Sequence, residues 1–128
     1  MKESVIYILR SRDQVLCEWR DYKGTMQNCL PGGSVEPCDR QQDDHILAAV
    51  HREAEEELGI KPLRCSKLDD FVSNGIRFHV VLVHKWVESV PNTNRDNQNE
   101  LHWVPLNTLI DSITLPSLKT ITEGLKFT

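Results

Sequence analysis

Long apolar runs are missing from this 128-residue chain: no window approaches the roughly 18 apolar residues of a membrane-spanning helix. The opening run, Val5 to Leu9, is also too short for a secretory signal, so cytoplasmic residence without membrane attachment is the expectation. Basic charge is scarce as well. With 15 Lys and Arg against 19 Asp and Glu, the net charge of −4 offers no concentrated cationic face, which argues against a stable nucleic-acid complex. The four cysteines, Cys17, Cys29, Cys38 and Cys65, include no C-x-x-C pair, so neither a zinc knuckle nor a dithiol redox motif is indicated. Cys29 and Cys38 with His45 or His51 are the one combination that could form a soft-ligand metal site. Repeats, low-complexity tracts and domain-dividing linkers are absent too. A composition of 39% apolar and 27% charged residues is that of a soluble globular protein, and residues 1–128 are expected to form one domain.

What is present is an alternation of strand and helix signals. Val5 to Leu9 and Gln14 to Trp19 read as a hairpin about the polar turn Ser11-Arg12-Asp13, and Asp21 to Gln27 as a loop. A helix is expected from about Asp43 or Asp44, either a good N-cap, to Leu58, with Gly59 as its stop and Pro62 just beyond. Gly75 to Val87 is apolar at nearly every position, the mark of a central strand covered on both faces. Pro91 to Asn99 is polar and asparagine-rich, a surface loop. Glu100 to Leu106 reads as a short strand leading into a helical turn near Asn107 to Ile110. A closing helix follows Pro116.

The chemistry concentrates in the middle helix. Arg52-Glu53-Ala54-Glu55-Glu56-Glu57-Leu58-Gly59-Ile60 sets Glu53, Glu56 and Glu57 at i, i+3 and i+4, on one face, while Glu55 points to the other side and should be solvated. Three facing carboxylates raise one another's pKa unless guanidinium groups or a hard divalent ion hold them ionised. Upstream, Leu30-Pro31-Gly32-Gly33-Ser34-Val35-Glu36 forms a turn in which two glycines let the backbone approach a ligand or metal with no Cβ in the way.

A glycine turn feeding an acidic helix that ends at Gly59 resembles the Nudix box, G-x5-E-x7-R-E-U-x-E-E-x-G-U with U a bulky aliphatic residue. The second half is matched at its charged and glycine positions from Arg52 to Ile60, with Ala54 at an aliphatic slot. The first half is interrupted. Gly33 and Arg52 are 19 positions apart where the family has 14, so five extra residues sit inside the box at 33–60. Asp39 keeps the spacing from Gly33 and Asp44 the spacing back from Arg52; Asp44 is favoured for the acidic slot, because a loop absorbs an insertion more readily than a helix. Pro37 to Gln42 then becomes an extended loop.

The resemblance implies the α/β Nudix fold, a mixed β-sheet sandwiched between α-helices, over essentially the whole chain. It also implies Mg²⁺-dependent hydrolysis, with Mn²⁺ as a substitute, of a phosphoanhydride in a nucleoside diphosphate linked to another group. By that resemblance Glu53, Glu56 and Glu57 hold metal with help from the Gly32 carbonyl, Arg52 holds Glu53 through a bidentate contact, and Glu53 or an outside carboxylate activates water. Glu100 is the outside candidate, for metal or for water. Gly33 is expected at the substrate, and Phe78 or His79 could face a nucleobase. The chain's size fits small enzymes that cleave nucleoside triphosphates to monophosphate and pyrophosphate, acting as monomer or homodimer. Two alternatives are a non-catalytic nucleotide- or partner-binding domain, motivated by the interrupted box, and an ADP-ribose or dinucleoside polyphosphate hydrolase.

Overall fold

The computed structural model describes residues 1–88 and 100–128; the asparagine-rich segment expected as a surface loop, Pro91 to Asn99, lies outside them. Strand β1 (Lys2–Ser11) turns at Arg12-Asp13 into β2 (Gln14–Tyr22), as the polar triplet predicts. Residues 21–27, expected as a loop, instead complete a second hairpin, β2 to β3 (Thr25–Cys29). Lys23 and Gly24 take left-handed φ of 53° and 87°, the twist that a two-residue hairpin requires, so polar, exposed strands can pair where composition suggests a loop.

The short strand β4 (Gly32–Ser34) pairs antiparallel with β1, Val5 opposite Gly33 and Ile6 opposite Gly32. A single 3-10 turn at Asp39–Gln41 then replaces the extended loop expected over Pro37 to Gln42, closed by the Asp39 carboxylate accepting from the Glu36 N–H at 2.9 Å. Helix α1 (His45–Leu58) begins and ends as its sequence dictates: Asp44 Oδ1 accepts from Leu47 N–H at 3.1 Å, and Gly59 closes the last turn at φ 66°.

Strand β5 (Ile60–Ser73) has no counterpart in the sequence reading, where Pro62 served only as a helix stop. It is an edge strand, antiparallel to β6 (Ile76–Glu88), and Pro62 sits beside a register irregularity, where a missing N–H costs little. Asn74 and Gly75, both at positive φ, turn one into the other. β6 occupies the centre as expected, parallel to β1 along Lys2 to Leu9, and Val80 to Val83 are buried. The order β3-β2-β1-β6-β5, with β4 on β1 and β7 (Glu100–Pro105) on β2, makes the sheet mixed. Helices α2 (Leu106–Ser112) and α3 (Pro116–Glu123) follow, α2 enlarging the helical turn expected near Asn107 to Ile110 and α3 being the closing helix expected after Pro116.

The core has two parts on opposite faces. Val5, Tyr7, Leu9, Val81 and Val83 meet Ile46, Ala49, Val50 and Ala54 of α1, while Ile8, Val15, Cys17, Val80 and Leu82 meet Leu106, Leu109 and Ile110 of α2 and Leu125 beyond α3. The sheet is thus sandwiched between helices. β1 joins β2 only through the Arg10–Val15 and Ser11–Gln14 register pairs, so the β2–β3 hairpin is free to part from β1 and β4 beyond that point. Among the described residues no helix is long and apolar enough to cross a membrane.

Candidate active site

Adjacent glycines do different jobs at the start of the box. A Cβ on Gly32 would overlap the Val5 carbonyl oxygen, so that glycine is required by the close approach of β4 to β1. A Cβ on Gly33 would overlap the carboxylate of Glu53, so this glycine makes room for a functional group. The turn and the acidic helix therefore meet at one point, Gly33 against Glu53.

Arg52 is the hub behind that point. Its Nε and Nη2 donate to the Asp39 carboxylate at 3.1 and 3.0 Å, Nη2 also donates to the Ser34 carbonyl at 2.9 Å, and Nη1 donates to Glu53 Oε1 at 3.0 Å and Glu56 Oε2 at 3.3 Å. The paired, bidentate contact is thus with Asp39, and Glu53 receives one bond. Asp39 therefore takes the acidic slot, correcting the preference for Asp44. Asp44 is occupied as the N-cap and in an ion pair with Lys67. The inserted residues lie after the acid rather than before it, because helix α1 needs a cap where it starts and Asp44 supplies that cap. Burial alone would raise the Asp39 carboxyl, but the Arg52 bonds and the Glu36 N–H hold it below its ordinary value.

Glu57 looks inward from the next turn. Burial, hydrogen bonds to Glu53 and Glu18 and repulsion from both charges push its carboxyl up to about 10. Glu18, a residue that sequence reading passed over, is wholly buried on β2. One oxygen each of Glu18 and Glu57, both Oε1, is buried without a hydrogen-bond partner. Carboxylates from a strand and a helix thus face each other in a dry site short of donors, which is the condition a hard cation relieves. Among the described residues no three His, Cys, Asp or Glu side chains converge as a finished metal cage, so a cation would have to draw these oxygens together. The donor set fits one: it is all oxygen, acidic and under-satisfied.

The remaining sequence candidates divide. Glu56 lies at the rim, its side chain 57% exposed and paired with Arg52, and Glu55 is exposed as expected. Glu100 is exposed and lies opposite Trp19 in the register, whereas Leu101 lies opposite Glu18. Since register partners share a face and successive residues alternate, Glu100 leaves β7 on the side away from Glu18. The structure therefore does not bring Glu100 to the other carboxylates. His79 is engaged with Glu3 at 2.7 Å, and its neighbour Phe78 lines a cavity of about 350 Å³. That cavity is bounded by Gly32 and Gly33, by Arg20, Gln27 and Asn28 of the β2–β3 hairpin, and by Leu109, Leu115 and Leu118 from the α2–α3 region. The cysteine–histidine combination is not assembled: all four cysteines are free, and His45 bonds Glu3.

The signal that could have found Glu18 is alternation. It shares a strand face with Leu16, which packs toward the α1 side of the core, so an acid placed there must turn inward.

The NUDIX domain family model matches residues 2–123, and the chain belongs to the Nudix family. Solved structures agree on the fold. A chain described as an ADP compounds hydrolase superposes with TM-score 0.77 at 12% identity, covering 98% of this chain and 71% of that one. A MutT chain, from work on Aliivibrio salmonicida and Vibrio cholerae, gives 0.70 at 19% identity over 96% and 98% of the two chains. The E. coli ORF135 protein gives 0.71 at 22% identity over 98% and 89%. No curated protein sequence matches the chain. The mixed sheet between helices is therefore the Nudix fold, and the chain stands among the Nudix hydrolases, enzymes that act on pyrophosphate bonds.

Proposed function

We propose that this protein hydrolyses a phosphoanhydride bond in a nucleoside diphosphate linked to another group, with a nucleoside triphosphate, cleaved to monophosphate and pyrophosphate, as the favoured substrate. The observation that carries the reading is the position of Gly33, which lines the cavity on one side and abuts the Glu53 carboxylate on the other. A nucleoside in the cavity would have its phosphates at the carboxylates. At about 350 Å³ the cavity is near the lower end of the range of ligand pockets, ~300–1,000 Å³, a size that suits one nucleoside better than two.

Nudix hydrolases generally use divalent cations, and Mg²⁺, or Mn²⁺ in its place, would be held here by Glu53, Glu57 and Glu56 with help from the Gly32 carbonyl. When bound, it would neutralise phosphate oxygens and acidify water. The chain's own residues do the rest. Arg52, fixed by Asp39 and the Ser34 carbonyl, holds Glu53 in one orientation. Glu53 then accepts the proton of the attacking water. Arg20, on the cavity wall, offers a cation to the phosphate chain. Phe78 and the apolar residues of α2 and α3 exclude water around the nucleoside, with Gln27 and Asn28 as polar contacts.

Asp39 weakens the case for a domain that only binds nucleotides, because it restores the acid that the insertion had displaced. The test is a nucleotide panel assayed for phosphate and pyrophosphate with and without Mg²⁺. Mg²⁺-dependent pyrophosphate release from nucleoside triphosphates is the expected result. Turnover confined to ADP-ribose or dinucleoside polyphosphates would overturn the substrate, and binding without any turnover would overturn the enzyme.

A further inference from the structure

We infer that Glu18 is a metal-binding carboxylate of this chain, supplied by β2 from across the site and taking the part that the sequence reading gave to Glu100. The inference rests on the metal-dependent reading above and adds a ligand from outside the box helix. Three observations meet in it. Glu18 is wholly buried, and nothing in the core around Leu16 and Cys17 explains an acid there. The one cation beside its Oε2 among the described residues is Arg20 Nη1, at 3.5 Å, while its Oε1 has no partner. Across from it, Glu57 hydrogen-bonds Glu18 when protonated, and Glu57 Oε1 also lacks a partner.

Two buried acceptors with no donor must share either a proton or a cation. A proton bridges one oxygen of each group and leaves the remaining pair unserved. A divalent cation takes one oxygen from each carboxylate and still has positions for water and phosphate. Arg20 fits that arrangement, because it stays near the Glu18 oxygen turned from the cation and reaches the cavity wall. Glu100, on the other face of β7, has no such access.

The test is Mn²⁺ binding followed by the electron-spin signal of the free ion, with thermal unfolding in parallel, on the wild type, Glu18→Gln and Glu100→Gln. Glu18→Gln keeps the shape, and its amide can donate to Glu57, so the metal-free variant should unfold at or above the wild-type temperature. Its Mn²⁺ affinity should fall by roughly tenfold or more, the scale on which loss of even an outer-shell partner weakens a metal site. Its cation-induced rise in unfolding temperature should shrink with it. Glu100→Gln should bind as the wild type does. If Glu18→Gln does not fold, Glu18→Asp, which keeps the charge but withdraws the oxygens, should show the same weakening. A wild type that binds Mn²⁺ beside a Glu18 variant that binds it equally would overturn this inference alone. A wild type indifferent to Mn²⁺ would overturn it together with the reading beneath it.

Discussion

Glu3 on β1 and Glu18 on β2 are both withdrawn from solvent, yet only Glu3 is fully partnered. Its Oε1 meets Arg40 at 2.9 Å and His45 at 3.1 Å, and its Oε2 meets His79 at 2.7 Å. These contacts tie β1 to the inserted turn, to the start of α1 and to β6. Glu18 has one distant cation and an orphaned oxygen. Acidic character is common to the two regions; the supply of donors is what differs. A carboxylate saturated by its own fold is a structural tie, and one left short of donors is available to something from outside.

The largest expected effect separates the two regions by activity. Glu53→Gln should lower kcat by a factor on the order of 10²–10⁴, the range for a positioned acid–base group. Glu3→Gln should leave kcat within a few-fold while costing about 1–3 kcal/mol of stability, since it weakens a buried charged hydrogen-bond set. Steady-state rates and urea unfolding on the two variants read both quantities. Equal rate losses would erase the distinction.

The two aspartates of the insertion sharpen the comparison in stability. Asp39→Ala leaves the hub Arg52 short of its bidentate partner, and should cost about 2–4 kcal/mol, near the lower part of the range for a broken buried pair. It should also lower kcat, because Arg52 then holds Glu53 less firmly. Asp44→Ala removes an N-cap worth about 1 kcal/mol and a surface pair with Lys67 worth little. Its kcat should be unchanged. Denaturant midpoints and rates that rank the aspartates the other way would return the acidic slot to Asp44.

The glycines give a smaller version of the same contrast. Gly32→Ala presses a methyl group on the Val5 backbone and should cost about 1–3 kcal/mol, as overpacking does, with a rate loss only as large as the unfolding. Gly33→Ala presses on the Glu53 side chain, which can swing aside, so stability should change little while kcat falls. Thermal unfolding and rates measured on both variants check the split.

Local rules made α1 readable from end to end: an Asp44 cap, an apolar arc through Val50 and Ala54, an exposed Glu55 and a Gly59 stop all act within a few residues. The glutamates at 53, 56 and 57 and the glycine pair were legible for the same reason. What escaped depends on contacts far apart in sequence. Asp39 meets Arg52 only because the insertion folds back through a 3-10 turn, and helix periodicity carries no information about a loop's return path. Glu18 sits between Cys17 and Trp19, and its inward turn matters only because α1 lies above it. β5 was hidden by Pro62 and by Lys61, Arg64, Lys67, Asp69 and Asp70, which an edge strand tolerates on its open side and a central one would not.

Opposite pH responses are the finest test of saturated against unsaturated carboxylates. Burial works against the Glu3 charge, but the bonds from His79, Arg40 and His45 hold its carboxyl below its ordinary value. Its contribution to stability is therefore present above that value and lost as pH falls through the lowered folded one. Glu57 runs the other way, mainly because burial disfavours its charge. With an unfolded value of 4.5 and a folded value of about 10, the folded protein keeps a proton that the unfolded chain has released. Metal-free stability should therefore fall as pH rises between those values. Thermal unfolding in chelator from pH 5 to 9 should show that decline. Glu57→Gln should flatten it, and Mg²⁺ should reverse it in the wild type, because a cation stabilises the ionised form. A metal-free protein whose stability is flat over that range, with or without Glu57, would mean that the buried oxygens are better served than their contacts indicate.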